Sequence, residues 1–229
     1  MLFKSQIFTQ VSGSIGGTTF SRNKGGLYTR ARSVPVNPNS PAQISARNAF
    51  SSLVNAWTEI LTPTQRDAWD LYALNTPVTN VFGDSKTLTG QQMYIRSNQP
   101  RVRDSQARVD AGPTIFDLGT FTTPVLTIVE SSPNDISVDF TNTDTWAIAI
   151  GGFLFALASR GQNQSKNFFK GPFRSAGAIA GAVIPPTTPE VVLSAFPYAE
   201  NQKVFVAFRA SQPDGRLSNQ QIVETIVGA

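Results

Sequence analysis

The chain has 229 residues, contains neither histidine nor cysteine, and carries charge on only 15% of its residues. Without imidazole and thiolate groups, a Ser-His-Asp triad, a Cys-His pair, a disulfide and the usual zinc sites are excluded. The charged fraction lies below the roughly one quarter that is typical of soluble domains, which favours a surface that ends up against other proteins.

Basic residues are concentrated near the N-terminus. No acidic residue precedes Glu59, whereas six basic residues do, and the rest of the chain holds 13 basic and 15 acidic residues. A basic segment suits either an acidic protein surface or nucleic acid. Because six widely spaced charges neutralise few phosphates, the pattern favours protein over nucleic acid as the partner. The six residues are Lys4, Arg22, Lys24, Arg30, Arg32 and Arg47.

No segment has the length and hydropathy of a membrane span. The longest apolar run covers residues 146–158, which is 13 residues, whereas a spanning helix needs about 20. The first residues, MLFK, hold too short an apolar stretch for a signal peptide. We therefore expect a protein made in a cytoplasm, without a membrane partner.

Residues 1–38 predict an extended arm with a β-hairpin. A strand is predicted over residues 4–11 and a flexible turn over 13–17. Two further strands, 18–21 and 27–32, flank an Asn-Lys-Gly-Gly turn, in which Asn and Gly supply the positive φ of a tight hairpin. A lone two-stranded hairpin is marginal in water, so the arm is predicted to contact a partner. The candidate contact residues are Phe20, Arg22, Lys24, Tyr28, Arg30 and Arg32.

Residues 39–110 predict a helical unit of two to three helices with a short strand pair. The helix starts are marked by SPAQ, TPTQ and TGQQ at residues 40–43, 62–65 and 89–92, where hydroxyl and amide satisfy N–H groups reciprocally. A strand pair is expected over residues 78–88. The first two helices carry apolar stripes at helical spacing, which predict a core around Trp57 and Trp69 and, as an alternative, a ligand groove. The stripe residues are Ile44, Phe50, Leu53, Val54, Trp57, Ile60, Leu61, Ala68, Trp69, Tyr72 and Ala73.

A linker and an all-β region follow. Residues 111–123 are rich in Pro, Gly and Thr and predict a linker, with a domain boundary near residue 120. Residues 124–229 hold short β-prone runs separated by turn signals, which predict an antiparallel β-sandwich. The fold class is therefore mainly β with a small helical unit. The predicted strands are 125–130, 136–141, 146–159, 167–169, 177–183, 190–194, 204–210 and 221–227.

Two resemblances add to this interpretation. The run KVFVAFRASQPDGRLSNQQIVETIV at residues 203–227 resembles the end of a fibronectin type III domain, which implies a fibronectin/Ig-like sandwich over the last hundred residues. The N-terminal half, with SGSIGGTTFSRNKGG, NPNSPAQISARNAF, LTPTQRDAWDLYA and LTGQQMYIRSN, is similar to a set of proteins encoded in phage and prophage structural regions. That resemblance implies a virion structural component. We expect no cofactor.

Without histidine and cysteine, the candidate functional groups are carboxylates and aromatic side chains. Carboxylate clusters at residues 67/70, 104/110 and 135/139/144 could hydrolyse glycosides, and Asn134 with Asp135 and Asn142 with Asp144 could bind calcium at sandwich loops. Turn and surface roles are the simpler interpretation. Phe168 and Phe169, flanked by cations, are candidates for partner contact, with core packing and sugar or base stacking as alternatives.

The sequence thus predicts a protein that is not an enzyme. We expect a structural component of a tailed-phage virion, most simply a capsid decoration or cement protein that clamps neighbouring subunits. The alternatives are a tail or head–tail connector component and a carbohydrate-binding adhesion module. The expected partners are phage capsid or tail proteins and further copies of the chain, and the expected location is the virion.

Overall fold

A computed structural model of the chain describes residues 11–23, 26–79 and 84–229. The described residues form three helices, an N-terminal three-stranded antiparallel sheet and C-terminal antiparallel sheets. The chain divides into two compact units, Met1–Pro41 and Ala42–Ala229. The predicted helices, N-terminal hairpin and C-terminal antiparallel strands are present, and together they make a mixed fold of helices and antiparallel sheets.

The first unit contains a small meander of three strands. Strands β1 (Gly13–Ile15), β2 (Thr18–Asn23) and β3 (Gly26–Ala31) pair antiparallel in that order. The predicted hairpin is confirmed. Residues 13–17 were predicted as a turn, but only Gly16 and Gly17 turn the chain, and Gly16 takes a φ of 55° that favours glycine. Lys24 and nearly all of the predicted strand 4–11 lie outside the described residues.

The second unit begins with the helices. Helix α1 (Pro41–Asn55) continues as a π-helical turn, Ala56–Ile60, and is followed by α2 (Pro63–Asn75) and α3 (Gly90–Arg103). The boxes that start α2 and α3 are confirmed, because Thr62 and Thr89 each exchange both capping hydrogen bonds with the glutamine three residues later. Strands β4 (Val78–Thr79) and β5 (Ser85–Lys86) form the predicted pair, whose residues 80–83 lie outside the described ranges.

The helices share one apolar core, in which α2 packs against α3. Trp69 is fully buried, with ring centroids 5.5 Å from Tyr94 and 5.9 Å from Tyr72, as the stripe on α2 predicted. The prediction for α1 is wrong over most of its length, because Leu53 is the only buried residue described in that helix. Trp57, in the π-helical turn, is half-buried against Tyr94.

Seven further strands form two antiparallel sheets, in the orders β10-β7-β6 and β12-β11-β8-β9. Their inward side chains, among them Val138, Leu154 and Val206, belong to one apolar core with the fully buried Trp146. Seven of the eight predicted strands are confirmed in type. The strands are β6 (Val125–Thr127), β7 (Asp135–Asp139), β8 (Phe153–Ala158), β9 (Arg174–Ala180), β10 (Glu190–Leu193), β11 (Lys203–Ser211) and β12 (Gln221–Ile226).

Two predicted strands need correction. Residues 146–151 form turns, because Asp144 accepts backbone hydrogen bonds from Ala147 and Ile148, and the strand begins only at Phe153. Residues 167–169 join no described sheet. Each segment buries one aromatic side chain, Trp146 or Phe169, without pairing in a sheet. Apolar character alone was therefore not sufficient to predict whether these backbones form strands.

The helices and the C-terminal sheets lie in the same unit, and Arg101 of α3 joins them. This side chain is only 3% exposed. Its guanidinium donates to the carbonyls of Gly151 (2.9 Å) and Gln212 (2.6 Å) and to Oγ of Ser211 (3.2 Å), and it lies 5.1 Å from the Phe153 ring centre. Burial lowers the pKa of Arg101 to about 10.

The boundary predicted near residue 120 falls within this unit.

Candidate protein-interaction surfaces

The arm sheet has two chemically different faces. Residues directly opposite each other in a ladder share a face, and the pairs Ile15–Thr18, Phe20–Thr29 and Arg22–Leu27 place three large apolar side chains on one of them. We call this face the apolar arm face; it comprises Ile15, Thr18, Phe20, Arg22, Leu27, Thr29 and Ala31.

The opposite face, the polar arm face, holds Ser14, Thr19, Ser21, Tyr28 and Arg30. Ser14 and Thr19 share a hydroxyl–hydroxyl hydrogen bond of 2.8 Å. The predicted contact residues are therefore divided between the two faces. Arg32 follows β3, where its N–H donates to the Gly17 carbonyl (2.8 Å).

None of the described residues of the arm sheet is buried. On the apolar arm face, Ile15 is 76% exposed and Leu27 is half-buried. A small sheet needs an apolar face that is covered to be stable in water. The described part of the arm therefore presents apolar surface that these residues do not bury by themselves.

The two phenylalanines singled out in the sequence have different environments. Phe169 is 8% exposed, stacks on Phe205 with ring centroids 5.7 Å apart and lies beneath the ammonium of Lys166. Phe168 is 70% exposed. Phe169 is thus a core residue, as one of the alternatives held, so the prediction of partner contact is wrong for Phe169. Phe168 is exposed to solvent.

Three of the carboxylates considered as catalytic groups stabilise local structure. Asp70 accepts from the Gly90 N–H at 2.8 Å, and Asp144 accepts from N–H (2.7 Å) and hydroxyl (3.0 Å) of Thr122. Asp110 binds Arg108 (2.7 Å) and the hydroxyl of Tyr94 (3.0 Å), and burial followed by this hydrogen bond raises the pKa of Tyr94. Each of these oxygens has a structural partner.

An aliphatic surface lies where two loops of the second unit meet. The N–H of Ala182 donates to the Ala147 carbonyl (3.0 Å), which joins the segment 146–151 to the segment 181–185. Four large aliphatic side chains of these loops are between 49% and 85% exposed. Grouped apolar exposure of this kind is typical of contact surfaces. The four are Ile148, Ile150, Val183 and Ile184.

A groove of about 1090 Å³ lies between α1, α3 and the outer face of the sheet that contains β8. Apolar side chains, including Phe155 and Leu157, form part of its lining. Four arginines also line it, and none of its described lining residues is acidic. We call it the arginine groove; its arginines are Arg96, Arg103, Arg174 and Arg209.

Most of the positive charge of the arginine groove is not balanced by ion pairs with described carboxylates. Arg103 pairs with Asp104 at 2.8 Å, whereas no carboxylate of the described residues forms an ion pair with the other three. Burial lowers the pKa of Arg209 to about 10, and repulsion from Arg96 and Arg103 adds to this shift. Phe50 and Val54, from the stripe for which a ligand groove was the alternative, line this groove. The sequence did not predict its arginines, although the seven-residue spacing of Arg96 and Arg103 already placed both on one face of α3.

No protein-family model, curated protein or solved structure matches the chain. Among the helices that the structure describes, none combines the length and apolar character needed to cross a membrane. Function is therefore argued from the surfaces of the molecule.

Proposed function

We propose that this protein is a non-enzymatic structural component of a tailed-phage virion, and within that class a capsid decoration protein that clamps neighbouring subunits. The observation that carries the proposal is the apolar arm face, which is attached to a separate, well-packed unit. Burial of apolar area is the main favourable contribution to protein association, at about 25 cal/mol per Å². The partner we propose is a capsid protein, with further copies of this chain beside it.

The composition and surfaces support protein contact as the function. The surface is low in charge, the arm is basic without acidic residues, and the loops at residues 146–151 and 181–185 expose aliphatic groups. The likeness of residues 10–98 to proteins of phage structural regions supports the virion as the location, after synthesis in the host cytoplasm. We propose no role for nucleic acid or membrane.

We also propose that the C-terminal sheets form a fibronectin type III-like sandwich. Counted from β6, strands one, two and five form one sheet, and strands three, four, six and seven form the other, which supports that arrangement. Tyr198 adds to this support. It lies 2% exposed between β10 and β11 with its hydroxyl on Ser194 (2.7 Å) and the Ser159 carbonyl (2.8 Å), in the manner of a tyrosine corner.

Two other functions remain as alternatives within this proposal. A tail or head–tail connector component would use the same arm at a lower copy number. An adhesion module would use exposed aromatic groups on the sandwich to stack on sugars, and Phe168 is the residue that favours it.

Removal of residues 1–36 tests the proposed role of the arm. We expect the truncated chain to keep the unfolding midpoint of the second unit, because the core clusters formed by the described residues lie within residues 53–227. We expect it to be absent from particles assembled by a virus that lacks the full-length gene and is supplied with the variant in trans. The measurement is quantitative mass spectrometry of purified particles, with the full-length chain as the control. Incorporation at the full-length level would contradict the proposal.

A further inference from the structure

We propose that the arginine groove binds an acidic segment with apolar anchor residues, contributed by a partner protein. The inference concerns a different surface from the arm and goes beyond the proposed function. It depends on the shape of the groove, its apolar lining and its uncompensated positive charge.

The groove has room for several side chains. Its volume of about 1090 Å³ lies just above the range of ordinary binding pockets, which is roughly 300–1,000 Å³. Helix α1 forms one wall, where Phe50 is 49% exposed and Val54 is half-buried. Across from α1, the half-buried Leu157 and Phe173 offer apolar surface. An occupant with two or three apolar side chains would cover both walls.

The charge of the groove selects the occupant. Arg209 lies beside Phe155 in the ladder between β11 and β8, and its guanidinium donates to the neutral Gln220 at 3.4 Å. Arg174 is exposed at the start of β9, and Arg96 donates to the neutral Asn219 at 3.1 Å. Guanidinium groups bind carboxylates through short, charge-assisted hydrogen bonds. Acidic side chains would therefore satisfy these donors and remove their mutual repulsion.

The same charges disfavour two other occupants. The N-terminal segment of a second copy carries six basic residues and no acidic residue before Glu59, so the groove repels it. Duplex nucleic acid would satisfy the arginines through phosphates, but its bases are paired and stacked within the helix and are not free to fill an apolar groove. A peptide with alternating acidic and apolar residues matches both features.

The test uses the full-length protein and a short fluorescein-labelled peptide in which glutamate alternates with leucine and phenylalanine. Binding is measured by fluorescence anisotropy at about 150 mM salt, where exposed charges are screened beyond roughly 8 Å. The control peptide has glutamine in place of every glutamate. We expect the acidic peptide to bind and the control peptide to bind at least about tenfold more weakly.

Two variants and a matched control locate the binding. The double substitution Arg174→Gln with Arg209→Gln is expected to weaken binding of the acidic peptide at least about tenfold. The matched control, Arg160→Gln with Lys170→Gln, removes the same charge from exposed positions outside the groove lining and is expected to change affinity less than about twofold. Ala46→Trp keeps every arginine but fills the groove from an exposed position on α1, and it should also abolish binding while the unfolding midpoint stays unchanged.

Several results would overturn the inference. They are failure of the acidic peptide to bind, equal binding of the two peptides, and unchanged affinity of the double variant or of Ala46→Trp. Tighter binding of a labelled DNA duplex than of the peptide would identify a nucleic-acid site instead. Concentration-dependent dimers that the double variant abolishes would identify a second copy as the occupant. None of these results bears on whether the arm docks on particles, so the two proposals fail independently.

Discussion

Replacing Trp69 by alanine is expected to lower the free energy of unfolding of the second unit by about 3–5 kcal/mol, the range for a large aromatic side chain lost from a core. The indole is fully buried between Tyr72 and Tyr94, and its Nε1 donates to the Asp110 carbonyl at 3.0 Å. The substitution therefore leaves both a cavity and a carbonyl without its donor. Denaturant unfolding followed by circular dichroism measures the change.

Trp57 provides the matched control for Trp69. It is the same residue type in the same apolar cluster, but it is half-buried, and among the described residues its ring contacts Tyr94, at 5.7 Å. We expect Trp57→Ala to lower the free energy of unfolding by about 1–2 kcal/mol, because partly exposed side chains lose less contact on truncation. Two results would contradict this description of the core. One is a larger loss of unfolding free energy for Trp57→Ala than for Trp69→Ala, and the other is an equal denaturation midpoint for the unsubstituted protein and both variants.

Charges placed on the apolar arm face are expected to prevent docking of the arm. In the double variant Ile15→Asp with Leu27→Asp, both carboxylates lie on one face of the three-stranded sheet. Burying an unpaired carboxylate against an apolar partner costs several kcal/mol. We therefore expect incorporation into particles to fall at least about tenfold, since each 1.4 kcal/mol of binding energy is a factor of ten.

The polar arm face supplies the control for that substitution. Ser14→Asp with Ser21→Asp adds the same two charges to the same sheet on its other side. We expect this variant to enter particles at near the normal level, as measured by mass spectrometry. Loss of incorporation in the Ser14 and Ser21 variant alone would show that the arm docks through its polar, basic face.

Local signals in the sequence predicted much of the fold. The helix starts at Thr62 and Thr89 were found because a capping box is complete within four residues. Strand β7 was found because Ile136 and Val138 alternate with polar neighbours, and both side chains are fully buried. The arm hairpin was found through its Asn and Gly residues. In each instance the determinants of the structure are adjacent in the chain.

The features that were missed depend on contacts between distant residues. Arg101 is buried by groups about 50 and 110 positions away, and charged residues are so seldom buried that no local pattern predicts it. Helix α1 was assigned to the core because its stripe is apolar, but whether a stripe is covered depends on what packs beside it. The arginine groove combines α1, α3 and three strands, so only the assembled unit shows it.

The number of copies of this chain in a purified virion tests the proposed function most directly. A decoration protein that clamps capsid subunits follows the symmetry of the shell and should be present on the order of hundreds of copies. Quantitative mass spectrometry against the major capsid protein gives the ratio. We predict a fixed ratio in that range. About six or twelve copies would assign the chain to the tail or connector, and its absence from purified particles would contradict a structural role in the virion.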